Sequence, residues 1–149
     1  MDRVWAQHPV LIWAPFDIQY VGEQEGGSPA LLVTDDGESI QMPAESVKHL
    51  KSVEPQALDA VDDVCSLTEV TEGAILHTIR TRFQNAQIYT RVSRVLIAVN
   101  PFACLPIYSV QYLDDYASVM DSFELPPHIF GIGADALRGL RSGGQNQAV

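Results

Sequence analysis

Val95-Leu96-Ile97-Ala98-Val99-Asn100-Pro101-Phe102-Ala103-Cys104-Leu105-Pro106-Ile107-Tyr108 is the stretch on which the reading of this chain turns. It opens with five consecutive apolar residues. An unbroken run of that kind predicts a core strand buried on both faces. The strand then empties at Asn100-Pro101 into a loop stiffened by Pro101 and Pro106. Asn offers a donor and an acceptor, and Tyr offers a ring face and a hydroxyl. An amide at the start of such a loop and a phenol at its end suit one face of a planar ring. Taken alone, Asn-Pro is equally an ordinary strand-to-loop exit, and Tyr108 a core phenol at a helix start.

The neighbouring sequence alternates between helical and strand patterns. Upstream, Ile75, Leu76, Ile79 and Phe83 share a helical face and predict a helix near 72–84. Ile88-Tyr89-Thr90 reads as a strand, joined to the helix by a solvated turn containing Asn85 and Gln87. Downstream, Val110, Leu113, Tyr116, Ala117 and Met120 outline a second helix. A third starts after Pro126-Pro127 with Ile129, Ile132, Ala136 and Leu140 on one stripe, and Gly143-Gly144 stops it. Arg138 and Arg141 suit the negative end of its dipole. Gly131 and Gly133 each cost a helix interior about 1 kcal/mol relative to Ala, which predicts a loose first turn. Gln147-Ala148-Val149 reads as a strand just begun.

Residues 3–53 differ in character. Val10 to Ala14 and Ile18 to Val21 are β-type, and Pro15, which cannot donate to a central ladder, is expected to separate them. Residues 23–29 form a turn or flexible loop. Asp35-Asp36-Gly37 between Ala30–Thr34 and Glu38–Met42 is a hairpin signal, because Gly accepts the positive φ of a tight turn. About five short strands in this span predict a small antiparallel β-barrel.

With 149 residues and 46% apolar content, the chain can bury a core of ordinary size. Nine basic against 19 acidic residues give a net charge of −10, which argues against a nucleic-acid partner and an anionic membrane surface. No apolar run reaches the roughly 20 residues that span a bilayer, and no signal peptide opens the chain. Cys65 and Cys104 read as reduced cytosolic thiols.

Other chemistries find little support. His8, His49, His77 and His128 lack partners at metal-ligand spacing, so no metal site is expected, and His128 reads as a polar residue near a helix start. Nothing near Cys65 would activate a thiol nucleophile. Asp35-Asp36, Asp62-Asp63 and Asp114-Asp115 read as solvated turns and faces. Trp5 and Trp13 suit a barrel core better than a groove for a proline-rich peptide.

These motifs, in this order, resemble the myosin motor head. The likeness runs through Val4-Trp5 at the start of a small barrel and Asp62-Asp63 at the entry to the motor core. It continues through Arg82-Phe83, Ile88-Tyr89-Thr90, Ile97-Ala98-Val99-Asn100-Pro101 and Leu105-Pro106-Ile107-Tyr108. Pro126-Pro127-His128-Ile129-Phe130 and Asn146-Gln147 complete it. It covers residues 60–149 tightly and 4–53 loosely. The chain departs from many relatives at Ala103-Cys104, where they carry basic residues.

The resemblance implies a mixed α+β and α/β architecture. Residues 1–54 would form the N-terminal barrel. Residues 55–149 would form the first part of a P-loop motor core, helices packed on a few strands, ending before the phosphate-binding loop. It implies that Asn100 and Tyr108, with Pro101 and Phe102 shaping the turn, line the adenine side of an ATP site. ATP with Mg²⁺ would be bound by the complete motor, whose partner is the actin filament, in the cytoplasm and on the cytoskeleton. No GxxxxGK[ST] occurs in the 149 residues, so tight nucleotide binding and hydrolysis by this chain alone are not expected, and no catalytic residue is assigned. The alternative is a non-catalytic interaction module that uses the barrel, with Trp5, Trp13 and Tyr20 as contact aromatics. How the chain ends would separate the two.

Overall fold

Arg3–His8 (β1) and Ile12–Tyr20 (β2) pair antiparallel, with Val4 opposite Phe16 and Ala6 opposite Ala14. The structure is a computed structural model that describes residues 2–20, 29–143, 146 and 147. It divides into two units, one of residues 1–59 with 67–78 and one of residues 60–66 with 79–149.

In the first unit β2 also pairs with Ala30–Val33 (β3), which pairs with Ser39–Met42 (β4). Lys51–Ser52 (β5) lies on the far side of β1. The five strands expected here form one antiparallel sheet in the order β4-β3-β2-β1-β5, and the helix Ala44–Val47 (α1) leads from β4 towards β5. Alternation does the rest. Val4, Ala6, Ala14, Phe16, Ala30 and Leu32 bury on one face and gather Val47 of α1. The β3–β4 turn follows its sequence signal: Gly37 sits at φ 83° and donates to the Thr34 carbonyl at 3.0 Å.

Pro15 does not divide the strand. It lies within β2, opposite Trp5. The Ile18 N–H donates across to Asp2, so even-numbered residues of β2 address β1 and odd-numbered ones address the other side. On that side β3 pairs only from Asp17 onward, so the donor that Pro15 lacks has no ladder to join. Val10 and Leu11, expected in a strand, are in the β1–β2 turn, where both N–H groups donate to His8 Nδ1 at 3.2 and 3.0 Å. Ile12 leaves that turn at φ 65°, an unusual conformation for a β-branched residue.

Trp5, on the opposite face of β1 from Val4, is only 2% exposed. It packs against Gly73 and His77 in the first half of α2, Glu72–Gln84. It is buried, but against α2 and on the face away from the sheet's own core cluster, and not inside a barrel core as expected. Trp13 Nε1 donates to Glu72 at 3.2 Å. The Tyr20 side chain and residues 21–28, including most of the expected loop, lie outside the described residues.

Helix α2 occupies its predicted span, but its deepest stripe is Ala74, Thr78 and Arg82, whereas Leu76 and Phe83 are exposed. Thr71 Oγ1 caps it by accepting from the Ala74 N–H at 3.1 Å. At its far end the Ala86 N–H donates to Phe83 and the Gln87 N–H to Arg82, with Ala86 at φ 59°. This is a Schellman closure with Ala where Gly is usual.

In the second unit Tyr89–Val92 (β6) and Val95–Ala98 (β7) form a hairpin around Ser93-Arg94. The expectation that Val95 to Val99 are buried on both sides fails: Val95 is 64% exposed and the inner residues are only half-buried. The reason is topological, since β7 pairs with β6 alone among the described residues. Val110–Ser118 (α3) and Ile129–Gly143 (α4) follow. Met120, expected on α3, lies beyond it and is exposed. The α4 start is not opened by its glycines. Gly131 is buried, and a Cβ there would come within 3.1 Å of the Ser122 Cβ, so a missing side chain lets α4 approach that segment. Of the strand expected at the chain end, Gln147 is described without regular structure, and Ala148 and Val149 lie outside the described residues.

Candidate functional site

The site is built on β6. Arg82, buried at the end of α2, forks onto the Tyr89 carbonyl through Nε at 3.0 Å and Nη2 at 2.9 Å. Its Nη1 donates to the carbonyls of Ala60 and Val61 and to Asp62. Arg91, two residues along the strand, donates to the Ser122 and Leu125 carbonyls at 2.7 and 3.0 Å and covers the Phe123 ring at 4.6 Å. A planar five-donor group satisfies several carbonyls of converging segments at once, which a Lys ammonium cannot do in one plane. Asp62, exposed as expected, and half-buried Asp63 also belong to this scaffold. Asp62 pairs with Arg82, and Asp63 Oδ1 accepts from the Cys65 and Ser93 N–H groups at 2.9 and 3.1 Å.

From β7 the chain enters the loop singled out in the sequence. Asn100 Oδ1 accepts from the Phe102 N–H at 2.8 Å, an Asx turn that leaves the two Nδ2 donors without a partner among the described residues. Pro101 is half-buried, and Phe102, at φ 49°, is 93% exposed. Ser109 closes the loop and caps α3, its Oγ accepting from the Tyr112 N–H at 3.3 Å. Tyr108, just before that cap, is 51% exposed, and its hydroxyl lies 2.9 Å from that of buried Tyr89. Burial first, then the hydrogen bond to Tyr108, pushes the Tyr89 phenol well above its usual range.

Behind this pair sits His128, only 5% exposed. Its ring stacks on Tyr116 at 5.2 Å and Tyr112 at 5.9 Å. Tyr89 approaches edge-on at 5.1 Å, while Tyr108 at 5.6 Å and Phe130 at 4.7 Å are tilted against it. His128 Nδ1 accepts from the Phe130 N–H at 3.1 Å, so in the neutral ring the proton is on Nε2. That nitrogen is buried and makes no hydrogen bond among the described residues. Burial lowers the imidazole below its ordinary range, with the Ile107 backbone opposing in part. Ile107, Tyr89, Tyr112, Tyr116 and His128 line a cavity of about 300 Å³.

Asn100 and Tyr108 therefore share one loop, fixed at its start by an Asx turn and at its end by a hydroxyl pair. Chemically it presents amide donors, a ring face and a phenolic oxygen. The sequence singled out these two residues but gave His128 and Tyr89 no part in the site. The available signal was aromatic density, since Tyr108, Tyr112, Tyr116 and Phe130 all lie close to His128 once α3 and α4 are packed. Among the described residues no group of three His, Cys, Asp or Glu is placed to hold a metal ion.

Residues 61–149 match the family model described as "Myosin head (motor domain)". The chain is 36% identical to the high molecular weight form of myosin-1 of Acanthamoeba castellanii, over 99% of this chain and 9% of that protein. It is 30% identical to unconventional myosin-VIIb of Mus musculus, over 98% of this chain and 7% of the relative. With the myosin-J heavy chain of Dictyostelium discoideum the identity is 31%, over 98% and 6%. The chain thus spans less than a tenth of the length of these relatives.

Proposed function

The chain belongs to the myosin head (motor domain) family, and from that premise we propose that it supplies the adenine side of the ATP site in an actin-based motor. The observation that carries this reading is the 100–108 loop. Asn100 spends its carbonyl on the Asx turn and keeps its amide donors for a base edge, while half-exposed Tyr108 offers its ring and hydroxyl. Pro101 and Phe102 shape the turn between them. Polar edges of a purine matched by an amide and a phenol give orientation and base selectivity rather than bulk affinity.

Phosphoryl transfer needs a Gly-rich backbone cradle, a Lys on the phosphates and a Ser or Thr on Mg²⁺. No such pattern occurs in these 149 residues, so in this reading the phosphates and Mg²⁺ are held by other parts of the complete motor. The segment does not hydrolyse ATP by itself. Its partners are the rest of the motor domain and, through that, the actin filament, which places the motor on the cytoskeleton in the cytoplasm. Exposed Val95 on β7, Val110 and Leu113 on α3, and Leu137 and Leu140 on α4 are apolar surface suited to cover by other parts of a motor. No described helix is long and apolar enough to cross a membrane.

An Asn100→Asp variant of the complete motor tests the reading, because it keeps the Oδ1 acceptor of the turn and removes the Nδ2 donors. Affinity for a fluorescent ATP analogue should fall about tenfold, in the range of lost hydrogen bonds to a polar partner, while tripolyphosphate binding is unchanged. Unchanged ATP affinity would overturn the assignment.

A further inference from the structure

We propose that His128 and Tyr89 are the positioning residues of this loop, forming a socket that sets the ring and hydroxyl of Tyr108 against the base. The inference rests on the adenine-side reading above and goes one layer deeper into the same site.

Tyr108 itself is poorly restrained by its own segment: it is half-exposed and stands between two prolines of the loop and the Ser109 cap. What orients it comes from elsewhere in the fold. The Tyr89 hydroxyl, on β6, holds the Tyr108 hydroxyl at 2.9 Å. The His128 ring lies 5.6 Å from the Tyr108 ring, and Phe130 meets it edge-on at 6.1 Å. His128 is fixed in turn by stacking on Tyr112 and Tyr116 and by the Phe130 N–H on Nδ1. Tyr116 is locked too, its hydroxyl donating to the Pro126 carbonyl at 2.6 Å. Rotation of Tyr108 therefore requires displacing a chain of packed rings.

Two features distinguish this from plain aromatic packing. First, a phenol has one proton and two lone pairs, so the Tyr89 contact takes one site of the Tyr108 hydroxyl and leaves the others for a base edge. Whichever phenol donates, the direction of the remaining site is fixed by Tyr89. Second, the ring at the centre is an imidazole whose buried Nε2–H makes no direct hydrogen bond among the described residues. The Ile107 backbone, one residue before Tyr108, lies close enough to favour a proton on that ring. Through that backbone the His128 ring acts on residue 107 and so on the placement of Tyr108.

The test is steady-state ATPase kinetics and thermal unfolding of the complete motor carrying His128→Phe, Tyr89→Phe or Asn100→Asp. His128→Phe keeps the ring stack but removes both the Nε2 donor and the Nδ1 acceptor of the Phe130 N–H, and Tyr89→Phe removes only the hydroxyl. Each of these two should raise KM for ATP about fivefold, the loss of one net hydrogen bond, with kcat within about twofold and only a modest fall in the unfolding midpoint. Tripolyphosphate binding should not move. If Asn100→Asp weakens ATP while His128→Phe and Tyr89→Phe leave KM unchanged, the socket falls and the adenine-side reading stands. If all three leave ATP binding unchanged, both fall. A joint drop in kcat and unfolding midpoint with no selective rise in KM makes the cluster structural only and overturns the proposal. Tyr89→Phe decides alone should His128→Phe fail to fold.

Discussion

Gly73→Ala sets two well-known effects against each other within one helix. Gly73 is the second residue of α2, and by propensity alone Ala would stabilise that helix by up to about 1 kcal/mol. The tertiary structure opposes the change. A Cβ at residue 73 would stand 2.6 Å from Trp5 Cδ2 and 2.7 Å from Cε3, about 1 Å inside the separation at which carbon atoms attract. The atoms it meets belong to an indole that is 2% exposed, held in β1 opposite Pro15 and against His77, so the ring has little room to retreat. Overpacking of this kind costs about 1–3 kcal/mol, and at these distances the upper part of the range applies. The net expectation is a destabilisation of about 2 kcal/mol. Urea unfolding followed by tryptophan fluorescence should show a lowered midpoint with an unchanged slope. The same change in a Trp5→Leu background should be neutral or stabilising, which gives a coupling of about 2 kcal/mol between residues 5 and 73. A Gly73→Ala chain as stable as the parent would refute the steric argument. A penalty that persists without the indole would show that Trp5 is not its cause.

Three further expectations follow from single features. Ala86→Gly should stabilise the chain by about 1 kcal/mol, because Ala86 closes α2 at φ 59°, where a Cβ is penalised; an equal or lower unfolding midpoint would contradict this. Arg82→Met, close in volume, should cost roughly 3 kcal/mol by leaving the Tyr89, Ala60 and Val61 carbonyls without their shared donor, and chemical denaturation should locate the loss. The pH dependence has a definite sign. Burial lowers the His128 pKa in the folded chain, so the unfolded chain takes up its proton first. Stability is full above the ordinary histidine value of about 6.5 and declines as pH falls below it. His128→Phe should flatten that part of the stability profile; an unaltered slope would remove His128 from the account.

The elements that were legible in the sequence are those whose signals are local. The α2 span, the Asp-Gly hairpin, the two strands flanking Ser93-Arg94 and the α4 start after Pro126-Pro127 all follow from helical period, turn chemistry and proline placement within a few residues. The loop containing Asn100 and Tyr108 was legible for the same reason, since a strand end followed by two prolines is written consecutively.

Burial and partnership are decided by residues that are remote in sequence. Pro15 sits inside β2 because β3 stops short of it, and the apolar β7 is exposed because among the described residues it pairs with β6 alone. On α2 an arginine lies deeper than Leu76 or Phe83, because Arg82 reaches the carbonyls of Tyr89, Ala60 and Val61. His128 looked like a polar residue near a helix start until α3 and α4 brought Tyr112, Tyr116, Tyr89 and Tyr108 around it. The sequence by itself determined the family, the succession of elements and the position of the loop containing Asn100 and Tyr108. The tertiary structure decided which faces are covered and which side chains hold that loop, because desolvation and ring packing depend on neighbours that local propensity cannot specify.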